Sequence, residues 1–320
     1  MATINALMRH LRDMGVKISG STQKRKLRRI GYYHGYKGYR FAGSSSNMLP
    51  ITDFNEIVAL HDFDMQLKAL FYSPLMSIET ALKNRVLEAV LEDAKSEKFD
   101  DVFKHSLTAY RTCPRADYKS AWASRLGFRT EIDRLIAQNH DTKDVIKHFR
   151  DQDRDIPIWA IFEIITLGNF GSFYNCLNDK VKNAVVTDLN MPTQNFDSAK
   201  VLKKIIFALK DLRNAVAHNG IVIDVRFKTA SVHRSVGELL NFEIHTSGVT
   251  FSDITDYTLL LVYLMARLGF TKTECKQLLQ GYEDLIEHYR SVLPYNIFSQ
   301  FVGTQTRQKL ADTAFFIKGL

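Results

Sequence analysis

The chain has 320 residues, with 45% hydrophobic and 24% charged side chains, a composition typical of a folded protein rather than a disordered or fibrous one. No apolar run reaches the roughly 18 residues that a membrane-spanning helix requires, and the N-terminus lacks the apolar core of a signal peptide. The three cysteines, Cys113, Cys176 and Cys275, are too far apart for a disulfide framework or a zinc site and are typical of the reducing cytoplasm. We therefore predict a cytoplasmic protein with no membrane partner, no metal and no cofactor.

The net charge of +8 comes from one segment near the N-terminus. Residues 14–52 contain eight basic residues and no Asp or Glu, whereas acidic and basic residues are equal in number over the rest of the chain. Such a local excess attracts phosphate backbones. We predict that residues 1–52 form a basic, RNA-contacting segment packed on a main domain of residues 53–320. The residues expected to contact RNA are Lys24, Arg25, Lys26, Arg28, Arg29, Tyr32, Tyr33, Lys37 and Arg40.

Tyr32 and Tyr33 belong to a Tyr/Gly-rich element that spans residues 31–39. Aromatic rings beside a basic segment can stack on unpaired bases, which is how many proteins hold single-stranded RNA. The alternative is that the basic residues form a solvated helix face and that the tyrosines pack in the core.

Helical periodicity dominates the middle of the chain. An Asp-x-x-Glu capping box begins one helix at Asp53, Ser73–Pro74 is expected to end it, and a second helix is expected over residues 75–94. Shorter helices are expected near residues 117–127, 128–139, 142–150 and 158–167.

The clearest helical pattern begins at Asp197 or Ser198 and ends at His218, and Asn219–Gly220 is a typical left-handed stop after it. Beyond this helix the periodicity changes to that of strands, with a turn at Ser247–Gly248. Strands are expected at residues 221–227, 241–244 and 249–251, and helices near 252–268 and 271–291. The chain is therefore predicted to be mainly α, with a small β-hairpin insertion at about residues 221–251.

The end of the clearest helix carries a candidate site, Arg213-Asn214-x-x-x-His218. At about 100° per residue, Asn214 and His218 face away from the apolar stripe of the helix, and Arg213 lies at the border of that stripe. The spacing alone is not specific, because similar ones occur at Arg28 or Arg29 with His34, Arg134 with His140 and Arg226 with His233. The alternative is structural: an ion pair of Arg213 with Asp211 or Glu163, and a histidine that caps the helix.

These residue types suit RNA cleavage without a metal. The 2′-OH of RNA can attack the adjacent phosphate in line, which requires a base, an acid for the leaving 5′-oxygen and positive charge on the phosphorane. His218 can transfer a proton, Arg213 can grip a phosphate through two N–H groups, and Asn214 can orient either partner. One chain supplies a single such histidine, so a symmetric homodimer would supply both proton-transfer groups.

Several segments, taken in order, resemble the Abi-like abortive-infection family of bacteria, the AbiD/AbiF group. These segments cover residues Ile30–Tyr36, Phe54–Leu67, Ser77–Val86, Trp159–Gly168 and Leu212–Asn219. The ordered combination is more specific than any one of them. The resemblance implies a dimeric, HEPN-like helical bundle with extra helices, in which Arg213, Asn214 and His218 cut RNA in defence against phage. It also implies, for some members, pairing with a small structured non-coding RNA.

The resemblance further implies a supporting pair, Glu79 and Arg85, on a helix that the family places near the active helix. These two side chains would orient the catalytic Arg or His through a carboxylate contact. An ordinary salt bridge between helices is the alternative. For the whole protein, the alternatives to a ribonuclease are a non-catalytic RNA-binding protein and a toxin that a bound RNA neutralises.

Overall fold

The structure is a computed structural model, which describes residues 3–320. The described residues are mainly helical, which confirms the predicted fold class. A π-helical turn at Tyr33–Lys37 and a 3₁₀ turn at Ala109–Arg111 add to the α-helices. The α-helices are α1 (Ile4–Asp13), α2 (Gly20–Tyr32), α3 (Phe54–Ala94), α4 (Phe99–His105), α5 (Tyr118–Asn139), α6 (Asp144–Asp151), α7 (Ile158–Ile164), α8 (Leu167–Cys176), α9 (Asp179–Asp188), α10 (Ser198–Ala217), α11 (Arg234–Ile244), α12 (Ile254–Arg267), α13 (Lys272–Val292), α14 (Tyr295–Phe298) and α15 (Thr306–Gly319).

The chain divides into two compact units. The first unit contains the residues up to Leu75 together with Asp211–Leu320, and the second contains Met76–Lys210. Helices α3 and α10 each begin in one unit and end in the other. The boundary at residue 52 between a basic segment and a main domain, which the charge pattern indicates, stays a prediction.

The core of the first unit is built around α12, in which every residue from Ile254 to Met265 is buried. A helix that is apolar on all sides is stable only when other elements surround it, and α13 and α15 pack against it. A buried ion pair, from Lys309 Nζ to Asp256 Oδ1 at 2.6 Å, joins α15 to α12. This packing explains why residues 254–265 are buried.

The second unit is organised by α5, which packs against α6, α7 and α8. The guanidinium of Arg125 is buried there and donates to the main-chain oxygens of Leu107, at 2.7 Å, and Phe103, at 2.8 Å. A buried charge is tolerated when its N–H groups find acceptors, so Arg125 ties α5 to the segment that follows α4. Within residues 3–320, no helix has both the length and the apolar character needed to cross a bilayer.

The predicted helix end at Ser73–Pro74 is wrong, because α3 continues through Pro74. Proline has no N–H to donate to the carbonyl four residues earlier, so one main-chain hydrogen bond is lost at this point. The buried side chains nevertheless keep helical spacing on both sides of it. They include Phe71, Leu75, Ile78 and Leu82. Burial of this stripe therefore outweighs the cost of the lost hydrogen bond at Pro74. The two helices predicted over residues 117–139 also form one continuous helix, α5.

The β-hairpin insertion predicted for residues 221–251 is not confirmed. β-Pairing in the described residues is limited to isolated bridges, and residues 241–244 end α11, whose buried residues Val236, Leu239, Leu240 and Ile244 follow helical spacing. Main-chain N–H groups in the other two predicted strands donate to buried carboxylates instead of to a neighbouring strand. The donors are those of Val222 and Ile223 to Asp64, and of Thr250 and Phe251 to Asp256.

Candidate functional site

The predicted catalytic residues lie at the C-terminal end of α10, in the first unit. Asn214 and His218 are exposed and Arg213 is half-buried. The Arg213 Nη1 atom donates to Asn214 Oδ1 at 3.3 Å, and the His218 N–H donates to the Asn214 carbonyl oxygen at 2.9 Å. Leu212 and Val216 on the opposite face are buried. The helix therefore presents Asn214 and His218 together on its solvent face, with Arg213 bonded to the first of them.

The helix stop after His218 has the geometry that Asn219–Gly220 predicts. Asn219 has a φ of 54°, in the left-handed region, and the Gly220 N–H donates to the Ala215 carbonyl oxygen at 2.7 Å. This closing bond turns the chain sharply away from the helix axis, as in other left-handed helix ends. His218 is thereby the last residue before the turn.

A buried carboxylate, Asp64 on α3, fixes the chain that follows this turn. Its Oδ1 accepts the N–H groups of Val222, at 2.7 Å, and Ile223, at 2.9 Å, and its Oδ2 accepts the Tyr39 hydroxyl at 3.0 Å. Burial and the neighbouring carboxylate raise the pKa of Tyr39 far above its usual value, so this hydroxyl keeps the proton that it donates. Asp64 also forms an ion pair with Lys68 at 2.8 Å, and both side chains are buried.

Lys68 carries this support to the turn itself. Its ammonium donates to Asn219 Oδ1 at 2.6 Å and to the Gly220 carbonyl oxygen at 3.1 Å. Asp64 and Lys68, the Asp64–Lys68 pair, therefore hold residues 219–223 against α3 directly after His218. The motifs of the sequence give neither residue a role. A signal is nevertheless present, because two oppositely charged residues four apart within the buried stripe of a helix indicate an internal ion pair.

The Tyr/Gly-rich element packs against the same segment. The Gly38 carbonyl oxygen accepts from Arg226 Nη2 at 2.5 Å, and Arg226 is also ion-paired with the buried Asp224. A Cβ atom at residue 38 would lie 2.7 Å from Ile221 Cδ1, so glycine allows this close approach without a shift of the Ile221 side chain. The Tyr/Gly-rich element and α3 thus both contact the segment that follows the Arg213–His218 helix end.

Two further histidines lie beside Lys68. The rings of His34 and His61 are 6.2 Å apart in an edge-on arrangement. Burial, Lys68 and His61 lower the pKa of His34, in that order of size. Its buried Nδ1 has no hydrogen-bond partner among the described residues. His34 therefore lies near the Asp64–Lys68 pair with a pKa that favours its neutral form, and only its place in the Tyr/Gly-rich element marks it in the sequence.

The basic segment forms α2, whose anchor is the buried Leu27. Arg25, Arg28 and Arg29 are exposed, and none forms an ion pair with a described residue. Lys24 and Lys26 are half-buried, Lys37 is exposed, and Arg40 lies over the rings of Tyr36 and Phe41. The helix therefore offers a row of guanidinium groups to solvent.

The two tyrosines of the predicted RNA surface differ in exposure. The Tyr33 side chain is 56% exposed, as a stacking platform requires, whereas Tyr32 is half-buried and its hydroxyl bonds to His10 Nε2 at 3.1 Å. Tyr36 and Tyr39, further along the same element, are core residues.

Glu79 and Arg85 lie in the second unit. Glu79 forms an ion pair with Lys83 at 2.9 Å, and Arg85 lies 3.5 Å from Asp188. Their supporting role toward the catalytic residues stays a prediction. In the part of the chain that the structure describes, no three His, Cys, Asp or Glu side chains are grouped as metal ligands would be.

Residues 25–224 match the model of the family described as Abi-like protein. This range is more than half of the 320 residues, and it includes α2 from Arg25 onward, the Tyr/Gly-rich element and the whole Arg213–His218 segment. The chain therefore belongs to the Abi-like protein family, as its motifs predict. Membership supports a role in abortive infection, a form of defence against phage. No curated protein and no solved structure matches the chain.

Proposed function

We propose that the chain is a metal-independent endoribonuclease of the HEPN type that acts in phage defence. The observation that carries this proposal is the exposed Asn214–His218 face of α10, with Arg213 hydrogen-bonded beside it. Cleavage by 2′-OH attack depends on a proton-transfer group and a cation held in a fixed geometry. The buried Asp64–Lys68 pair gives such an arrangement a rigid support.

Each side chain has a distinct part in this chemistry. The Arg213 guanidinium would bind the scissile phosphate and stabilise its added charge, because a planar fork of N–H groups matches two phosphate oxygens. Asn214 would orient Arg213 through the bond that joins them. His218 would transfer a proton to or from the reacting oxygens, since an imidazole can both accept and donate a proton. The reaction calls for no cofactor.

A homodimer completes this proposal, because general acid and general base catalysis need two groups and each chain contributes one Arg213–His218 segment. A two-fold axis would bring two such segments to one RNA strand. Sedimentation velocity at micromolar concentration measures the mass. A monomer that cleaves RNA at full rate would contradict the dimer.

RNA is the proposed partner in two senses, as the substrate and as a small structured RNA that associates with the protein. The exposed arginines of α2 support this part of the proposal, since they would follow a phosphate backbone. Nucleic acid that remains bound through a high-salt wash, once sequenced, would identify the associated RNA. Pure protein without nucleic acid would count against a bound RNA.

The chemistry of the cleaved ends tests the reaction. Purified protein incubated with single-stranded RNA in excess EDTA is expected to give products that end in 2′,3′-cyclic phosphate, because the 2′-OH is the nucleophile. Mass spectrometry of the fragments distinguishes this end from a 3′-hydroxyl. Cleavage that EDTA stops, or fragments with 3′-hydroxyl ends, would contradict the proposal. Tight RNA binding without any cleavage would favour the non-catalytic RNA-binding alternative or the RNA-neutralised toxin.

The basic surface of α2 has its own test. The triple variant Arg25→Ala, Arg28→Ala and Arg29→Ala is expected to lower the slope of log affinity against log salt concentration by about 2, since each phosphate contact to single-stranded RNA contributes roughly 0.7. Fluorescence anisotropy with a labelled RNA over a range of salt concentrations measures this slope. The matched control replaces three exposed cations elsewhere, Lys276, Arg290 and Lys318, with the same loss of net charge. Equal slopes for the two triple variants would show that α2 is not the RNA surface.

A further inference from the structure

A second basic site lies in the second unit and shares no residue with the Arg213–His218 segment. It is a cavity of about 440 Å³, lined by residues of α5, α8, α9 and α10 and by the segment after α4. Its volume is in the range of small-molecule binding sites. Three cations face it, Arg125, Lys182 and Lys203. None of the three forms an ion pair with a described residue.

The three cations share one neighbour, Cys176. Each acts electrostatically on the thiol of Cys176, a buried residue that also lines the cavity. Burial nevertheless raises the pKa of Cys176 to about 11, so the thiol stays neutral and does not balance the positive charge. The lining of the cavity thus holds three positive groups and a neutral thiol.

Lys182 and Lys203 are partly buried, so their side chains are partly removed from water. Burial lowers the pKa of both Lys182 and Lys203. The Lys182 ammonium donates to the Asn175 carbonyl oxygen at 3.0 Å, whereas Lys203 has no hydrogen-bond partner among the described residues. In the described part of the chain, Lys203 has no carboxylate in an ion pair with it. Asp179 and Asp197 act on Lys182 without a direct ion pair. Partly buried cations of this kind are costly to the fold, and a bound anion would offset that cost.

The other residues of the lining include one more cation, two carboxylates and several uncharged hydrogen-bonding groups. Lys200, a fourth cation of the lining, is already paired with Asp197 at 2.7 Å. The carboxylates of the lining, Asp117 and Asp179, belong to exposed residues. The hydroxyl groups of Thr112, Ser120 and Ser124 and the ring of Tyr110 complete the wall.

We propose that this cavity binds the terminal phosphates of a nucleotide, either of a free nucleoside triphosphate or of the 5′-phosphorylated end of an RNA strand. Ammonium and guanidinium groups bind phosphates through charge-assisted contacts, and two lysines and one arginine line this cavity. The Tyr110 ring and the hydroxyl groups offer stacking and hydrogen bonds to the nucleoside. The site is independent of the ribonuclease proposal, because it shares no residue with the Arg213–His218 segment.

Binding to the full chain tests this site, with ATP in the absence of divalent metal as one probe. The other probes are two short RNAs of one sequence, with a 5′-triphosphate or a 5′-hydroxyl end. Isothermal titration is expected to show saturable binding of ATP, of the 5′-triphosphate RNA in preference to the 5′-hydroxyl RNA, or of both. The substitution Lys203→Gln is expected to weaken the binding about tenfold or more, because it removes one charge-assisted contact.

The matched control is Lys204→Gln, on the next residue of α10, which changes net charge equally and lies outside the lining. Removing an unpaired, half-buried lysine does not destabilise the fold by the loss of a partner, so Lys203→Gln is expected to unfold at the wild-type temperature. ATP binding alone assigns the site to free nucleotides, and preference for the triphosphate end without ATP binding assigns it to RNA ends. Equal affinity for the two RNAs with no ATP binding, or equal effects of Lys203→Gln and Lys204→Gln, would overturn the proposal.

Discussion

Replacing His218 by alanine is expected to slow RNA cleavage by about 10²- to 10⁴-fold, the range that a lost proton-transfer group produces. The free energy of unfolding is expected to change by less than about 1 kcal/mol, because the side chain is exposed. Single-turnover cleavage of a labelled RNA in EDTA gives the rate, and urea denaturation gives the stability. Loss of rate at constant stability is the signature of a group that acts on the substrate.

For Arg213, the informative change is Arg213→Lys. It keeps the positive charge but loses the planar fork that grips two phosphate oxygens, so cleavage is expected to fall by about 10²-fold or more. His288→Ala and Arg290→Ala on α13 are matched controls, since both residues are exposed near the end of a helix. If these controls and the site variants cut RNA at one rate, the Arg213–His218 segment is not the catalytic site.

The helical part of the fold could be predicted because its signals are local. The box Asp53-x-x-Glu56 predicts the start of α3, and in the structure the Glu56 carboxylate accepts the Asp53 N–H at 3.1 Å. Asn219–Gly220 predicts the end of α10, and Asn219 has the left-handed φ that such a stop requires. In both cases a few consecutive residues decide the geometry.

The first strand of the predicted β-hairpin could not be excluded from the sequence, because the contact that replaces its pairing is not local. Residues 221–223 have the apolar, β-branched composition of a strand. Their N–H groups are instead accepted by Asp64, which is 158 residues away from Val222 along the chain. From the sequence alone, this contact is unknown, and the alternating pattern of residues 221–227 predicts a strand. A single buried carboxylate thus decides between a strand and an irregular segment.

The same long-range contact explains why the support of the candidate site was missed. Periodicity places residues 64 and 68 on the buried face of α3, but it does not show which turn they meet. Residues 213, 214 and 218 could be found because they stand close together on one helix. The family resemblance includes the segment around Asp64 without giving that residue a role.

The largest expected effect on stability comes from Asp64→Ala. The substitution leaves the buried ammonium of Lys68 without its carboxylate and removes the acceptor of three other donors, so we expect a loss of about 3–5 kcal/mol in the free energy of unfolding. The urea midpoint measures this loss. Hydrogen exchange at Val222 and Ile223 is expected to accelerate even where the rest of the protein stays folded.

A neighbouring carboxylate provides the control. Asp62, two residues earlier on α3, has a side chain that is 44% exposed and pairs with His61, so Asp62→Ala is expected to cost less than about 1 kcal/mol. In the double variant Asp64→Asn, Lys68→Met the buried charges disappear together, and part of the lost stability is expected to return. Equal urea midpoints for Asp64→Ala and Asp62→Ala would mean that the Asp64–Lys68 pair does not hold the turn. A Lys68→Met variant that remains folded tests whether the pair also positions His218. Lys68 contacts the turn at Asn219 and Gly220 rather than the proposed substrate, so slower cleavage by this variant at unchanged stability would show that the turn positions His218.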